Sequence, residues 1–216
     1  AGEVGLWREA WLGCSRCRNG TVVEAQALSR PPSIQAIRKK LLGQSLTYEE
    51  IHSIITDIVN DNLSPVETTY YVASGFVKPN SDEELYYLSK AIAETGEVMN
   101  LPLEVVDKHS IGGLPGNRTT MVVTPIVASL GLCMPKTSSR AITSPAGTSD
   151  TMEVLAPVTF SMSQIRDIVR KTKACLVWGG GLNIAPADDK IIRLSRPLAM
   201  EPYDKMLVSI MAKKVA

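Results

Sequence analysis

An excess of charge of either sign is missing from this chain. Lys and Arg number 23 against 22 Asp and Glu, a formal net charge of +1, and no block of like charge runs beyond a few residues. That balance excludes a general pull toward nucleic acid or a membrane surface, so any bound anion must be held by a local arrangement. A membrane-spanning run is missing too: the longest apolar stretch, 121–135, is broken by Thr124, Pro125 and Ser129 and falls short of the roughly 20 residues that cross a bilayer. The opening "AGEVGLWREAW" carries Glu3, Arg8 and Glu9 where a signal peptide needs an apolar core, so a soluble, cytoplasmic protein is expected. Cysteine is scarce, and four in 216 residues build no disulfide framework. Cys14 and Cys17 form one C-x-x-C, but His52, His109, Cys133 and Cys175 show no ligand pairing, so the pair reads as two incidental thiols and no metal is expected. Repeats and low-complexity tracts are absent, and 44% hydrophobic with 21% charged residues is a globular balance that excludes disorder.

The familiar nucleotide loops are also lacking. The stretch "DKHSIGGLPGNRTT", 107–120, is rich in glycine, hydroxyls and basic residues. Yet Gly116 is followed by Asn117 and preceded five positions earlier by Ile111, which excludes the P-loop of the nucleotidases. Gly112, Gly113 and Gly116 do not fit the G-x-G-x-x-G spacing of a dinucleotide site either.

What is present is an order of elements. "GTVVEAQAL" reads as one strand, and the prolines of "RPP", which fix φ and remove donors, read as a hinge. Ser33 is expected to cap a short helix ending at Gly43. Thr47 with Glu50 makes a capping box ahead of Ile51, Ile54, Ile55, Ile58 and Val59 on one face; Ser64 with Pro65 and Glu67, then Ser81 with Glu84, start two more helices. Near residue 101 the pattern changes. "LEVVDK" reads as a strand, "TTMVVTPIVASLGL" as a buried helix, "MPKTSS" as a strand, "SMSQIRDIVRKTK" as an amphipathic helix and "ACLVWGG" as a strand. The fold class is α/β: a small helical domain plus part of a larger α/β domain with a parallel-type sheet, whose ligands bind at the carboxyl ends of the strands. The chain opens without Met and stops inside a helical pattern, as a segment of a longer protein would.

Two loops, "KHSIGG" and "SSRAITSPAGTSD", begin at such strand ends and bring Lys108, Ser110, Ser138, Ser139, Arg140, Thr143, Ser144 and Thr148 to one crevice. Hydroxyls, cations and exposed amides suit a phosphate oxyanion, whereas the plainer role of these Ser and Thr is to satisfy turns and cap a helix. His109 reads as a structural histidine or as an acid-base group. In "PADDKIIRLSRPLAMEP", the carboxylates read as a solvated face or helix cap, with a general acid as the alternative.

The segments "DKHSIGGLPGNRTT", "PKTSSRAITSPAGTSDTMEVLAPV", "WGGGLNIAPADD" and "SIMAKKVA", in order from about Arg30 to the last residue, closely resemble the thymidine phosphorylase superfamily and, within it, the AMP phosphorylases. Ser144 stands where the nucleoside enzymes of that superfamily place a histidine, which favours the nucleotide branch. The resemblance implies a tail of an N-terminal β-containing domain at 1–30, a helical domain at 31–98, a partial α/β phosphate-binding domain at 99–190, and a segment at 191–216 returning to the helical domain. The cleft lies between the two domains. The implied reaction is attack of phosphate on C1′ of a nucleoside 5′-monophosphate, giving the base and ribose 1,5-bisphosphate. Lys108, Ser110, Ser138 and Thr148 would cradle the attacking phosphate. Gly113, Ser139, Arg140, Ala141, Ile142, Thr143, Ser144 and Thr148 would line the nucleotide, and Ser209, Lys213 and Arg196 would meet the base. Glu201, where the family carries Asp, would protonate the leaving base.

The partners expected are AMP and phosphate, with no cofactor, no nucleic acid and no membrane, in a homodimer or larger homo-oligomer of the full-length protein. Three other readings stay open. A pyrimidine-nucleoside phosphorylase would prefer thymidine; an anthranilate-type phosphoribosyltransferase would need divalent metal; a non-catalytic nucleotide-binding segment would bind AMP without turnover.

Overall fold

The structure, a computed structural model, describes residue 5 and residues 8–15, 18–22, 24, 30–109, 117–140, 146–195 and 203–215. It divides into two compact units, 1–30 and 31–216. The first contains the short helix α1 (Arg8–Gly13). Most of the strand expected in "GTVVEAQAL" lies outside the described residues, and 20–22 are turn and irregular backbone. Cys14 is disulfide-bonded, which corrects its reading as an incidental thiol.

The second unit opens with four helices: α2 (Ser33–Leu41), α3 (Tyr48–Val59), α4 (Pro65–Val77) and α5 (Asp82–Glu94). The last three start as the sequence dictates. Thr47 with Glu50, Ser64 with Glu67 and Ser81 with Glu84 form reciprocal capping boxes, each cap worth about 1 kcal/mol. Ser33 departs from expectation. Pro32, already at φ −57°, takes the cap position, and Ser33 is the first helical residue. Its buried hydroxyl donates to Asp57 Oδ2 of α3 at 2.6 Å, a tertiary partner that outcompetes the local cap. Ile51, Ile54, Ile55 and Ile58 are buried as the helical period requires.

The α/β part follows as α6 (Asn117–Ser129), β1 (Met134–Ser138), α7 (Thr148–Glu153), α8 (Met162–Thr172) and β2 (Ala174–Trp178), with a 3-10 turn at Gly179–Gly181. Strands β1 and β2 are parallel, in a register running from Met134 opposite Ala174 to Ser138 opposite Trp178. "LEVVDK" contributes only an isolated parallel bridge, Val105 to Cys133, with the Val106 N–H donating to the Cys133 carbonyl at 2.8 Å. Exposed Leu103 and Val105 show why: little covers this edge to hold a longer ladder. Helix α6 is not the buried helix that its apolar sequence predicts. Thr120 and Thr124 face inward, while Val122 and Ile126 stand more than half exposed at 58% and 53%.

Helices α9 (Pro186–Ser195) and α10 (Tyr203–Val215) turn back to the first four. Ala185, Ala187, Ile191, Val208 and Ala212 share one core with α2–α5, so the return begins upstream of residue 191. Cys133, Ile165, Val169, Cys175, Val177, Leu182 and Ile184 form a second core on the sheet side. The two halves are stitched closely where Gly96 ends the α5 segment. A Cβ there would fall 1.8 Å from the Ile184 carbonyl oxygen, and the neighbouring Glu97 N–H donates to Asn183 at 2.7 Å.

Candidate active site

Because Val105, β1 and β2 run parallel, their carboxyl ends open on one edge, and the loop starting at Lys108, the end of β1 at Ser138 and the turn after Trp178 all begin there. Parallel sheets bind ligands at this edge because backbone groups and loops diverge there. The Lys108 ammonium lies 3.4 Å from the hydroxyl of Thr120 in the first turn of α6. The Ser138 carbonyl accepts the buried Ser149 hydroxyl at 3.0 Å, which draws the start of α7, with Thr148 as its first residue, against the end of β1. Gly147 permits this approach: a Cβ there would lie 2.4 Å from the Ser139 carbonyl oxygen. The N–H of Gly147 is taken by Asp150 Oδ2 at 2.8 Å. Ser138, Ser139 and Thr148 are thereby brought together.

Arg140 is placed differently from a ligand cation waiting in a cleft. Its guanidinium forks onto both oxygens of Glu153, at 2.6 and 2.8 Å, and reaches Asp150 at 3.1 Å while resting 4.8 Å above the Trp178 ring. The bond to Glu153, with Asp150 behind it, strengthens its hold on the proton. Arg140 therefore fastens the loop to α7 and to the end of β2.

Ser209 and Lys213, one turn apart on α10, meet at a single carboxylate. Asp188 Oδ2 accepts the Ser209 hydroxyl and the Lys213 ammonium, each at 2.6 Å, and Lys213 lies 3.2 Å from the Ser209 oxygen. Asp188 is buried at 5% exposure in the first turn of α9, at the helix start that one reading of this segment expects but not on its solvated face. A buried carboxylate must be paired, and these two donors pair it while fixing both side chains in one orientation. Burial raises the pKa of its neighbour Asp189, against the pull of Lys213.

A second carboxylate stands at the start of the loop that opens at Lys108. Asp107 Oδ1 lies 3.5 Å from Lys136 Nζ, and its Oδ2 lies 3.2 Å from Lys214 Nζ and 3.6 Å from His109 Nδ1. Burial resists its ionisation, but His109, Lys136 and Lys214 outweigh burial and hold it well below the usual carboxylate range. Lys136 is buried within β1 at 4% exposure and donates to the Thr137 carbonyl at 2.5 Å; burial lowers its pKa, with Asp107 opposing. His109 Nδ1 is buried with no hydrogen-bond partner among the described residues.

Ser110, Gly113, Ala141, Ile142, Thr143, Ser144, Arg196 and Glu201 lie outside the described residues. Among the described residues no group of His, Cys, Asp and Glu is arranged to hold a metal, and no helix is long and apolar enough to cross a membrane. Asp107 and Lys136 are supporting residues to which the sequence motifs assigned no role. A charged residue inside a strand or beside the site motifs was the available signal: Lys136 in "PKTSS" occupies a position that the strand buries.

The comparisons place the chain in a class. Residues 34–96 match the helical bundle domain of a glycosyl transferase family, and residues 103–209 match the α/β domain of the same family. The chain belongs to this glycosyl transferase family. Its curated relatives include proteins named AMP phosphorylase: 44% identity over 216 residues with that of Methanocella arvoryzae, covering 100% of this chain and 43% of the relative. The Thermofilum pendens protein of that name is 51% identical over 199 residues, covering 92% and 39%. That of Thermococcus sibiricus is 47% identical, covering 100% and 43%. The chain thus spans about two fifths of the length of these relatives. A solved anthranilate phosphoribosyltransferase from Thermus thermophilus superposes with a TM-score of 0.60 at 20% identity, over 82% of this chain and 54% of that one, a likeness of fold.

Proposed function

We propose that the chain forms the cleft of a nucleotide phosphorylase acting on AMP and on other nucleoside 5′-monophosphates such as CMP and UMP. An oxygen of inorganic phosphate attacks C1′ of the ribose, the bond from C1′ to the base nitrogen breaks, and its electron pair leaves with the base. Glu201 supplies the proton to the base, and ribose 1,5-bisphosphate is the other product. Lys108, Ser110, Ser138 and Thr148 hold the attacking phosphate. Gly113 and the run from Ser139 to Ser144 line the nucleotide, and Ser209, Lys213 and Arg196 meet the base. Catalysis of this kind is mainly positioning of an anion against a carbon that gains positive charge, and it needs no cofactor.

The observation that carries the reading is the convergence of Lys108, Ser138 and Thr148 on one sheet edge, while Lys214, next to Lys213 on α10, reaches that edge at Asp107. The names of the relatives supply the substrate class. A homodimer or larger homo-oligomer is favoured by an exposed stripe on α4, where Val66, Tyr70 and Val77 are more than half exposed and line up at helical spacing.

Phosphorus NMR of the protein with AMP and phosphate, against samples lacking phosphate or carrying thymidine, tests the reaction. New phosphomonoester and anomeric phosphate signals are expected only with AMP plus phosphate. Turnover of thymidine alone would move the chain to the nucleoside branch, and silence in every sample would leave a nucleotide-binding chain.

A further inference from the structure

We propose that Asp107 is a positioning residue that ties the phosphate side of the cleft to the helix carrying the base contacts, through Lys136 on one side and Lys214 on the other. The inference rests on the nucleotide phosphorylase reading and asks how its two substrate subsites are held in relation to each other.

Three placements carry it. Asp107 directly precedes Lys108, Lys136 precedes the loop residue Ser138 by two positions on β1, and Lys214 directly follows Lys213 on α10. The two carboxylate oxygens face different elements, Oδ1 toward Lys136 in the sheet and Oδ2 toward Lys214 on the helix. Helix α10 otherwise packs with the helical half, through Val208 and Ala212 in its core. One carboxylate therefore spans the boundary between the halves beside both proposed subsites.

The charge count gives the contact a second property. Lys108, Lys136 and Lys214 lie close enough together that Lys108 and Lys214 each oppose protonation of Lys136, while Asp107 favours it. A dianion arriving at Lys108 relieves that repulsion, and the cluster tightens around it. The closing of α10 onto Asp107 is favoured by the same step, so filling the phosphate subsite strengthens nucleotide binding, and the coupling is reciprocal. Asp107 touches neither proposed substrate; it acts through the two lysines.

The test is titration calorimetry of AMP binding to the intact chain, with and without sulfate as an unreactive mimic of the phosphate dianion. In the unaltered protein, sulfate is expected to tighten AMP binding about tenfold, within the ordinary range of coupling between two sites. Asp107→Asn and Lys214→Met should each cut that factor to about twofold or less, leave AMP affinity without sulfate nearly unchanged, and unfold cooperatively. Asp107→Glu should restore part of the coupling. Glu50→Gln, which removes a carboxylate from the helical half, should keep all of it. A folded Asp107→Asn protein with full coupling overturns the proposal. If that variant does not fold, Lys214→Met decides in the same way, since Lys214 is partly exposed and its loss opens no core. An unaltered protein that binds AMP without regard to sulfate overturns this inference alone, and the phosphorolysis reading stands or falls by NMR. Absence of any AMP binding removes both.

Discussion

The two halves of the second unit each bury a lysine against a carboxylate, and they do so in opposite ways. In the helical half, Lys40 and Glu84 are both 2% exposed and 2.7 Å apart, and Glu84 also accepts the backbone N–H groups of Leu46 and Ser81. Charge and hydrogen bonds are matched there, and the pair locks α2 to the start of α5. On the sheet side, Lys136 lies 3.5 Å from Asp107, and Lys108 and Lys214 add positive charge nearby. The first arrangement is complete without a ligand. The second gathers lysines from three segments near one another, a local positive field of the kind that attracts anions. Buried charge thus locks two helices together in one half and gathers cations from separate segments in the other.

Variants can break this contrast. The largest expected effect is on chemistry: Glu201→Gln should lower turnover by about 10²- to 10⁴-fold, the usual worth of a general acid, while leaving phosphate binding and the denaturation midpoint unchanged. Unaltered turnover in steady-state assays would remove Glu201 from the mechanism. In the helical half the effect should fall on stability instead. Lys40→Met leaves Glu84 buried and unpaired and should cost about 3–5 kcal/mol in urea unfolding, with Lys40→Met/Glu84→Gln recovering most of it. A single variant as stable as the unaltered protein would mean that water reaches Glu84.

Next, Asp188→Asn removes the charge that orients Ser209 and Lys213. AMP affinity should fall by about 1.5–3 kcal/mol, on the order of tenfold to a hundredfold, with sulfate affinity unchanged by calorimetry. Acid sharpens the comparison further. Burial resists ionisation of Glu84, yet Lys40, Ser81 and Leu46 hold it below its ordinary 4.5. A carboxyl depressed on folding contributes stability that is fully present above about pH 4.5 and is lost as pH falls through the folded value. Unfolding midpoints measured downward from pH 6 should therefore decline below pH 4.5, and Glu84→Gln should flatten the decline. The smallest effect belongs to Lys39→Ala. It removes a half-exposed pair with Glu50, at 2.7 Å, and should shift stability by less than about 1 kcal/mol.

Much of the helical half was legible in the sequence, because its instructions are local. Thr47, Ser64 and Ser81, each followed three residues later by Glu, start helices where a side chain can satisfy the first free N–H groups within a few residues. Ser33 has Ala36, not Glu, three residues later, so it lacks the second half of that signal, and it stands inside α2 rather than at its cap. Its neighbour Pro32 already has helical φ, and the partner for its hydroxyl, Asp57, is 24 residues away in the chain. Helix α6 failed for a related reason. An apolar composition states what could be buried, but whether Val122 and Ile126 meet a covering surface depends on elements elsewhere. On the sheet side, the strand ends from which the hydroxyl-rich loops start were legible, since backbone divergence at those ends follows from parallel pairing itself.

What the sequence determined by itself was the element order, three capped helix starts, the parallel character of the sheet and two hydroxyl-rich loops that begin at strand ends. These depend on periodicity, caps and turn residues a few positions apart. Only the tertiary structure decided that Arg140 is claimed by Glu153 and Asp150, that Asp188 gathers Ser209 and Lys213, and that Asp107 stands between Lys136 and Lys214. The reason is physical. A buried charge is tolerable only where partners from distant parts of the chain arrive with it, and no spacing along the sequence specifies that arrival.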